Sequence, residues 1–196
     1  MSLCIALKIF RVPMRITNFL HSLAAGKIKS RKLLLLLLVI VLVVVLNKYF
    51  DIAINITPSM KYGIYIKANG EIGEGDTVSV CLKDPYKKIA LERNYAAKGS
   101  KCSGIDPLIK EVVAIPGDDV ILADKYVEVN QKRYSFPTSH FDSLDRVLAV
   151  YPRGKYLHTP SYWLIGVNNK KSWDSRYFGP VSRAQILTKL KPLWVW

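Results

Sequence analysis

The chain has 196 residues, of which 50% are hydrophobic and 11% aromatic, enough for one packed domain of roughly 100–150 residues plus an extension; disorder as the main state is excluded. It carries 29 Lys+Arg against 15 Asp+Glu, a formal charge of +14. That balance alone points to nucleic acid or an anionic membrane surface, and the position of the charge separates the two. No acidic residue precedes Asp51, whereas Lys8, Arg11, Arg15, Lys27, Lys29, Arg31 and Lys32 all precede Leu33. Residues 1–32 therefore form an acid-free basic leader.

Residues 33–46 are fourteen apolar residues without interruption. As a helix they span about 21 Å against roughly 30 Å of hydrocarbon. Lys29, Arg31 and Lys32 can snorkel at one end, Asn47, Lys48, Tyr49 and Phe50 can sit in the interface at the other, and local bilayer thinning covers the rest. A cleaved signal peptide is the competing reading, but a basic region of 32 residues is long for one and no small-x-small site follows Leu46. A buried core helix fits poorly, since six leucines followed by a valine-rich run have no amphipathic face. The expectation is a single transmembrane anchor over 33–50, with a cytoplasmic N-terminus and an exported domain over 51–196. The lipid bilayer is then a partner and nucleic acid is not.

The exported part reads as period-two strands separated by Gly, Pro and Asp turns. Val78, Val80 and Leu82 alternate after Gly73-Glu74-Gly75-Asp76, and a strong apolar strand over 109–115 ends at Pro116-Gly117-Asp118. Residues 120–123 and 126–129 flank Asp124-Lys125 as a hairpin, and Asn130-Gln131 makes the next turn. Strands are also expected over 163–167 and, more weakly, over 181–187. One helix is expected between a capping Asp84, with Pro85 at its first position, and an exit at Gly99. Cys81 and Cys102 can form a disulfide in an oxidising compartment, closing a loop of about twenty residues; two small buried thiols are the alternative. The three histidines (His21, His140, His158) form no ligand cluster, so neither metal nor cofactor is expected.

Ser59 follows the anchor closely, so its chemistry lies within about 43 Å of the last apolar residue even on an extended chain. Pro58 stiffens the approach by fixing its own φ and holding Thr57 extended. A serine needs a base to become a nucleophile. His140 and His158 sit in no recognisable motif, which leaves lysine. Lys110 interrupts an apolar strand and shares a face with Val112 and Ala114, which can strip water from an amine whose ordinary pKa is about 10.4. A turn serine and an aggregation-blocking edge lysine are the plain alternatives.

Three ordered segments go further: Thr57-Pro58-Ser59-Met60; Leu108-Ile109-Lys110-Glu111-Val112-Val113-Ala114-Ile115-Pro116-Gly117-Asp118; and Ser172-Trp173-Asp174-Ser175-Arg176-Tyr177-Phe178-Gly179-Pro180. Together they resemble the type I signal peptidase family of Ser-Lys dyad proteases, over about residues 56–190. The single anchor, the compact length and the Cys81/Cys102 pair are similar to its TraF-type conjugative branch, which matures pilin precursors for type IV secretion. The resemblance implies a mainly β, signal-peptidase-like domain with one helical insertion, behind one transmembrane helix in the bacterial inner membrane, its catalytic domain periplasmic. It implies Ser59 as nucleophile, Lys110 as general base, Thr57 as a hydroxyl helping the Ser59 N–H at the oxyanion, Ser172 orienting the lysine, and Asp174 with Arg176 as a structural pair.

Gly166 and Asn168 match the family's Gly-Asp-Asn, with Val167 in place of the acid. Glu111 stands where many members have Arg, and Lys61 where the branch often has Pro. The implied substrate is a membrane-tethered, pilin-like precursor, with other secretion-system components as further partners. Its acyl-enzyme is resolved by water or by the substrate's own N-terminal amine, which would give a cyclic product. A general signal peptidase acting on many secreted proteins, and a non-catalytic component of the secretion apparatus, are the competing functions.

Overall fold

The computed structural model describes residues 30–196, so the basic leader expected over 1–32 lies outside the described residues except for its last three. Those residues divide between Tyr49 and Phe50 into two units. In the first, α1 (Ser30–Phe50) takes in the leucine and valine run, which has no Gly, Pro or acid to interrupt a helical backbone. Its large apolar side chains stay exposed on every side from Leu33 to Val45, with only Leu36 half-buried. Among the described residues, no helix is long and apolar enough to cross a membrane.

The second unit is mainly β. Its largest sheet has six strands in the order β1 (Ala53–Asn55), β2 (Gly63–Ala68), β12 (Ile186–Val195), β3 (Thr77–Val80), β6 (Leu108–Ala114) and β11 (Trp163–Ile165). A four-stranded sheet runs β10 (Gly154–Tyr156), β7 (Val120–Leu122), β8 (Val127–Val129) and β9 (Lys132–Tyr134). A two-stranded ribbon pairs β4 (Lys98–Gly99) with β5 (Gly104–Ile105). The expected hairpin is β7–β8, and Asn130 and Gln131 turn into β9 with φ of 46° and 69°, the left-handed pair a tight hairpin turn demands.

β6 holds the unit together because it serves two cores. Val112 joins Val78, Val80, Leu164, Trp173 and Phe178 in one cluster, and Val113 and Ala114 join Val120, Leu122 and Trp163 in the other. Fully burying each such aliphatic side chain stabilises by about 1.5–3 kcal/mol, so the strand carrying Lys110 is among the least free to move.

Two expectations need correction. The helix expected from Asp84 to Gly99 is α2 (Tyr86–Glu92), a single short piece. It stops because Asn94 turns left-handed at φ 58°, and Gly99 belongs to β4. There a Cβ would lie 1.8 Å from Asp106 Oδ1, so close approach and not a helix exit explains that glycine. The weak strand over 181–187 is a 3₁₀ turn, Arg183–Gln185, leading into β12. β12 runs ten residues between β2 and β3 and escaped the pattern because Leu187 is exposed, Thr188 is buried and Pro192 interrupts the run. Pro192 is tolerated at a register shift in the β2 pairing.

Candidate active site

The loop between β1 and β2 carries Ser59, and the β6 lysine reaches it across 51 residues of sequence. Lys110 Nζ lies 3.0 Å from Ser59 Oγ, to which it donates a hydrogen bond. The lysine pairs with Val78 of β3 in register and is 4% exposed. Burial pushes its amine down from 10.5 to about 8; the nearby Asp174 charge pulls it up and Arg176 pushes it down again. Those two charges oppose each other, so desolvation decides. Among the described residues no carboxylate forms an ion pair with Lys110.

A second loop clamps Ser59 from the β11 side. Asn168 N donates to Ser59 O at 3.1 Å, and Asn168 Nδ2 donates to Pro58 O at 3.3 Å. Gly166 makes the approach possible: a Cβ there would meet Ser172 Oγ at 2.0 Å and Ser59 Cβ at 2.9 Å. Behind the loop, Arg176 and Asp174 are both fully buried. Arg176 Nε and Nη2 donate to the two carboxylate oxygens at 2.7 Å each. The remaining guanidinium hydrogens serve the carbonyls of Pro137, Lys170 and Ser172. Asp174 Oδ2 also accepts from Gly166 N at 3.0 Å, so the pair sets the position of the turn that touches Ser59. A fully satisfied buried pair of this kind fixes geometry more than it adds stability.

Ser172, expected to orient Lys110, lies against Gly166, and its buried hydroxyl makes no hydrogen bond among the described residues. Thr57 is close, with its hydroxyl 3.2 Å from Ser59 Oγ, and donates a 2.8 Å hydrogen bond to Asn55 Oδ1. Asn55, buried at the end of β1, was not singled out in the sequence. The signal was a polar residue closing a strand just before the Thr-Pro-Ser segment. The histidines stay apart: His158 faces Asp119 and Gly117, and His140 faces Arg153. Cys81 and Cys102 form a disulfide with Cα atoms 5.3 Å apart, tying the end of β3 to the β4–β5 ribbon.

A cavity of about 200 Å³ is bordered by Ala53 and Ile54 of β1, Ile109 of β6, and Ser79 and Thr188; neither Ser59 nor Lys110 lines it. β1 is an edge strand, and Leu108–Lys110 of β6 has β3 on one side with no strand paired on the other. Open backbone edges of this kind suit the addition of an extended peptide.

The profile of the family described as signal peptidase, peptidase S26, matches residues 27–196. The chain belongs to the peptidase S26 family. Within it, a plasmid transfer protein TraF of Escherichia coli is 34% identical over 150 residues, covering 73% of this chain and 82% of that protein. A conjugal transfer protein TraF of Agrobacterium fabrum is 31% identical over 144 residues, covering 72% and 81%. A crystal structure of a signal peptidase I from Enterococcus faecalis V583 covers 63% of this chain and 100% of its own, at 19% identity and a TM-score of 0.38, too low to bear on the site. Three departures from the peptidase S26 pattern have simple places here. The Lys61 side chain is exposed while its carbonyl accepts from Asn55 and Tyr65, so the loop uses only its backbone. Val167 packs against the second core, and Glu111 pairs in register with Ile165 of β11.

Proposed function

We propose that this chain is a membrane-anchored serine endopeptidase that processes a pilin-like precursor during conjugative transfer. The observation that carries the reading is the 3.0 Å contact between Ser59 Oγ and a buried lysine whose amine is pushed down to about 8. Near neutral pH a useful fraction of such an amine is neutral and free to act as a base. Ser59 attacks the scissile carbonyl and Lys110 takes its proton. The tetrahedral intermediate then collapses to an acyl-enzyme as Lys110 returns that proton to the leaving amine, and water releases the product. No metal or cofactor takes part. The names of the relatives support conjugation as the setting, and the unpaired edges of β1 and of Leu108–Lys110 in β6 support an extended peptide as substrate.

α1 is the proposed anchor in the inner membrane, with the second unit on the periplasmic side. Its full 21 residues rise about 31 Å. The all-round exposure of Leu33 to Val45 supports lipid contact, and Arg31 and Lys32 lie at the end assigned to the cytoplasm. Other secretion-system components are the expected neighbours there.

The test is processing of a membrane-embedded pilin precursor by the parent, Ser59→Ala and Lys110→Met. Loss of processing in both variants is expected; full processing by either refutes the dyad. Product masses then separate the routes of release. A product lighter by one water than the linear peptide shows release by the substrate's own amine.

A further inference from the structure

We infer that Asn55 is the positioning residue of the nucleophile loop, and that it holds the Thr57 hydroxyl as a hydrogen-bond acceptor toward Ser59. The inference rests on the endopeptidase reading above and adds to it a residue and a direction of hydrogen bonding.

The argument starts from which atoms can donate. Three backbone carbonyls surround one end of the Asn55 amide: Thr57 O at 3.0 Å, Met60 O at 3.0 Å and Lys61 O at 2.9 Å. Carbonyls only accept, so that end is Nδ2, its two hydrogens shared among three oxygens. The other end lies 3.2 Å from the Thr57 backbone N–H, which only donates, so that end is Oδ1. Both observations assign the amide the same way round. Thr57 Oγ1 sits 2.8 Å from the same Oδ1, which carries no hydrogen, so the threonine hydroxyl must be the donor.

A hydroxyl has one hydrogen. With it committed to Asn55, Thr57 Oγ1 can meet Ser59 Oγ at 3.2 Å only by accepting. The chain of hydrogen bonds therefore has one direction. Lys110 Nζ donates to Ser59, Ser59 to Thr57, and Thr57 to Asn55, where the chain ends. When Lys110 is neutral, the Ser59 hydrogen turns to its lone pair and Thr57 keeps its place. Thr57 then has no hydrogen to offer an oxyanion. That task falls to backbone donors, chiefly the Ser59 N–H, which has no acceptor among the described residues.

Asn55 also explains why the loop is rigid. It is 4% exposed and gathers the chain from Thr57 to Lys61 around its own amide, while Asn168 holds Pro58 O and Ser59 O from the opposite side. Neither clamp touches Lys110. Removing Asn55 should loosen the direction of the Ser59 hydroxyl and N–H without changing the burial of the lysine.

The experiment uses the full chain in detergent micelles and an internally quenched peptide carrying Ala-Gln-Ala before the scissile bond. Rates are compared per active site after burst titration. Asn55→Ala is expected to lower kcat at least thirtyfold, with KM within threefold and the pH midpoint of kcat/KM still near 8. Asn55→Asp keeps an acceptor for Thr57 but offers no donor to the three carbonyls, and is expected to fall as far. Thr57→Val is expected to lose three- to tenfold, well short of the hundredfold or more that removing an oxyanion donor costs. Parent-like kcat in Asn55→Ala overturns the positioning role. So does a pH midpoint climbing toward 10.5, which would show general loosening that exposes the lysine. A hundredfold loss in Thr57→Val overturns the acceptor assignment, and that variant decides the question even where Asn55→Ala does not fold. Ser59→Ala and Lys110→Met run in parallel. If they cleave like the parent, the endopeptidase reading fails; if they are inactive while Asn55→Ala matches the parent, this inference alone fails.

Discussion

Replacing Lys110 by methionine should abolish activity and, at pH 7, make the protein more stable. Burial pushes the amine from 10.5 to about 8, so between those values the unfolded chain holds a proton that the folded chain has lost. Stability therefore rises with pH across that window, and below it the folded state carries the full cost of protonating a desolvated amine. At about 1.4 kcal/mol per tenfold change in proton affinity, that cost is roughly 3 kcal/mol. Methionine keeps an unbranched chain of similar length against Val78 and Val112 but forfeits the contact with Ser59, worth about 1 kcal/mol. The net gain is about 2 kcal/mol, or about 4–8 °C in Tm for a domain of this size. Thermal unfolding of the full chain in detergent, followed by tryptophan fluorescence from the buried Trp163 and Trp173, measures it. The gap should narrow above pH 8 and change sign about half a pH unit below 10.5, where the remaining cost of protonation equals the lost hydrogen bond. A variant that melts at or below the parent at pH 7, or a gap independent of pH, refutes the reasoning.

The catalytic form of Lys110 is neutral, so kcat/KM should climb with pH to a plateau with a midpoint near 8, and a flat profile between pH 6 and 9 would contradict that. Replacing Cys81 and Cys102 together by alanine should cost about 3 kcal/mol in denaturant unfolding, from the loop of 21 residues they close; a loss under about 1 kcal/mol would mean the ribbon is held by its own packing. Gly166→Ala should cut kcat at least tenfold, and adding Ser172→Ala should not restore it, because the new methyl still meets Ser59 Cβ at 2.9 Å; full restoration would place the whole conflict at Ser172. Glu111→Arg should be tolerated, with Tm within about 2 °C and substrate preference unchanged. Burial, and then the Glu74 charge, raise the Glu111 carboxyl, so a cation there meets attraction where the acid met repulsion.

The parts of this fold that could be read from the chain are those in which one strand face is apolar. β3, β7 and β8 alternate, β6 is a continuous apolar run, and Lys110 stood out because it interrupts that run. β12 could not be read this way. It is a central strand whose outward positions carry Lys189, Lys191 and Pro192, and only its pairing with β2 and β3 makes it a strand. The site divides along the same line. Ser59 and Lys110 stood in ordered motifs that could be read from the chain, and the structure brings them to 3.0 Å. The direction of the Thr57 hydroxyl was beyond reach, because it follows from three carbonyls that fold back onto Asn55.

The buried Asp174–Arg176 pair bears directly on the lysine. A motif names the polar groups near a base but not which of them are already occupied. Asp174 is the charge that would hold Lys110 protonated, and its pull on the amine is upward. Yet both of its oxygens are taken by Arg176, whose own charge pushes Lys110 the other way. The buried pair thus sets two opposing charges beside Lys110, and desolvation is the largest influence on its proton affinity. A carboxylate fully engaged by arginine is compatible with a lysine base beside it; the same carboxylate left free would turn that lysine into a permanent cation.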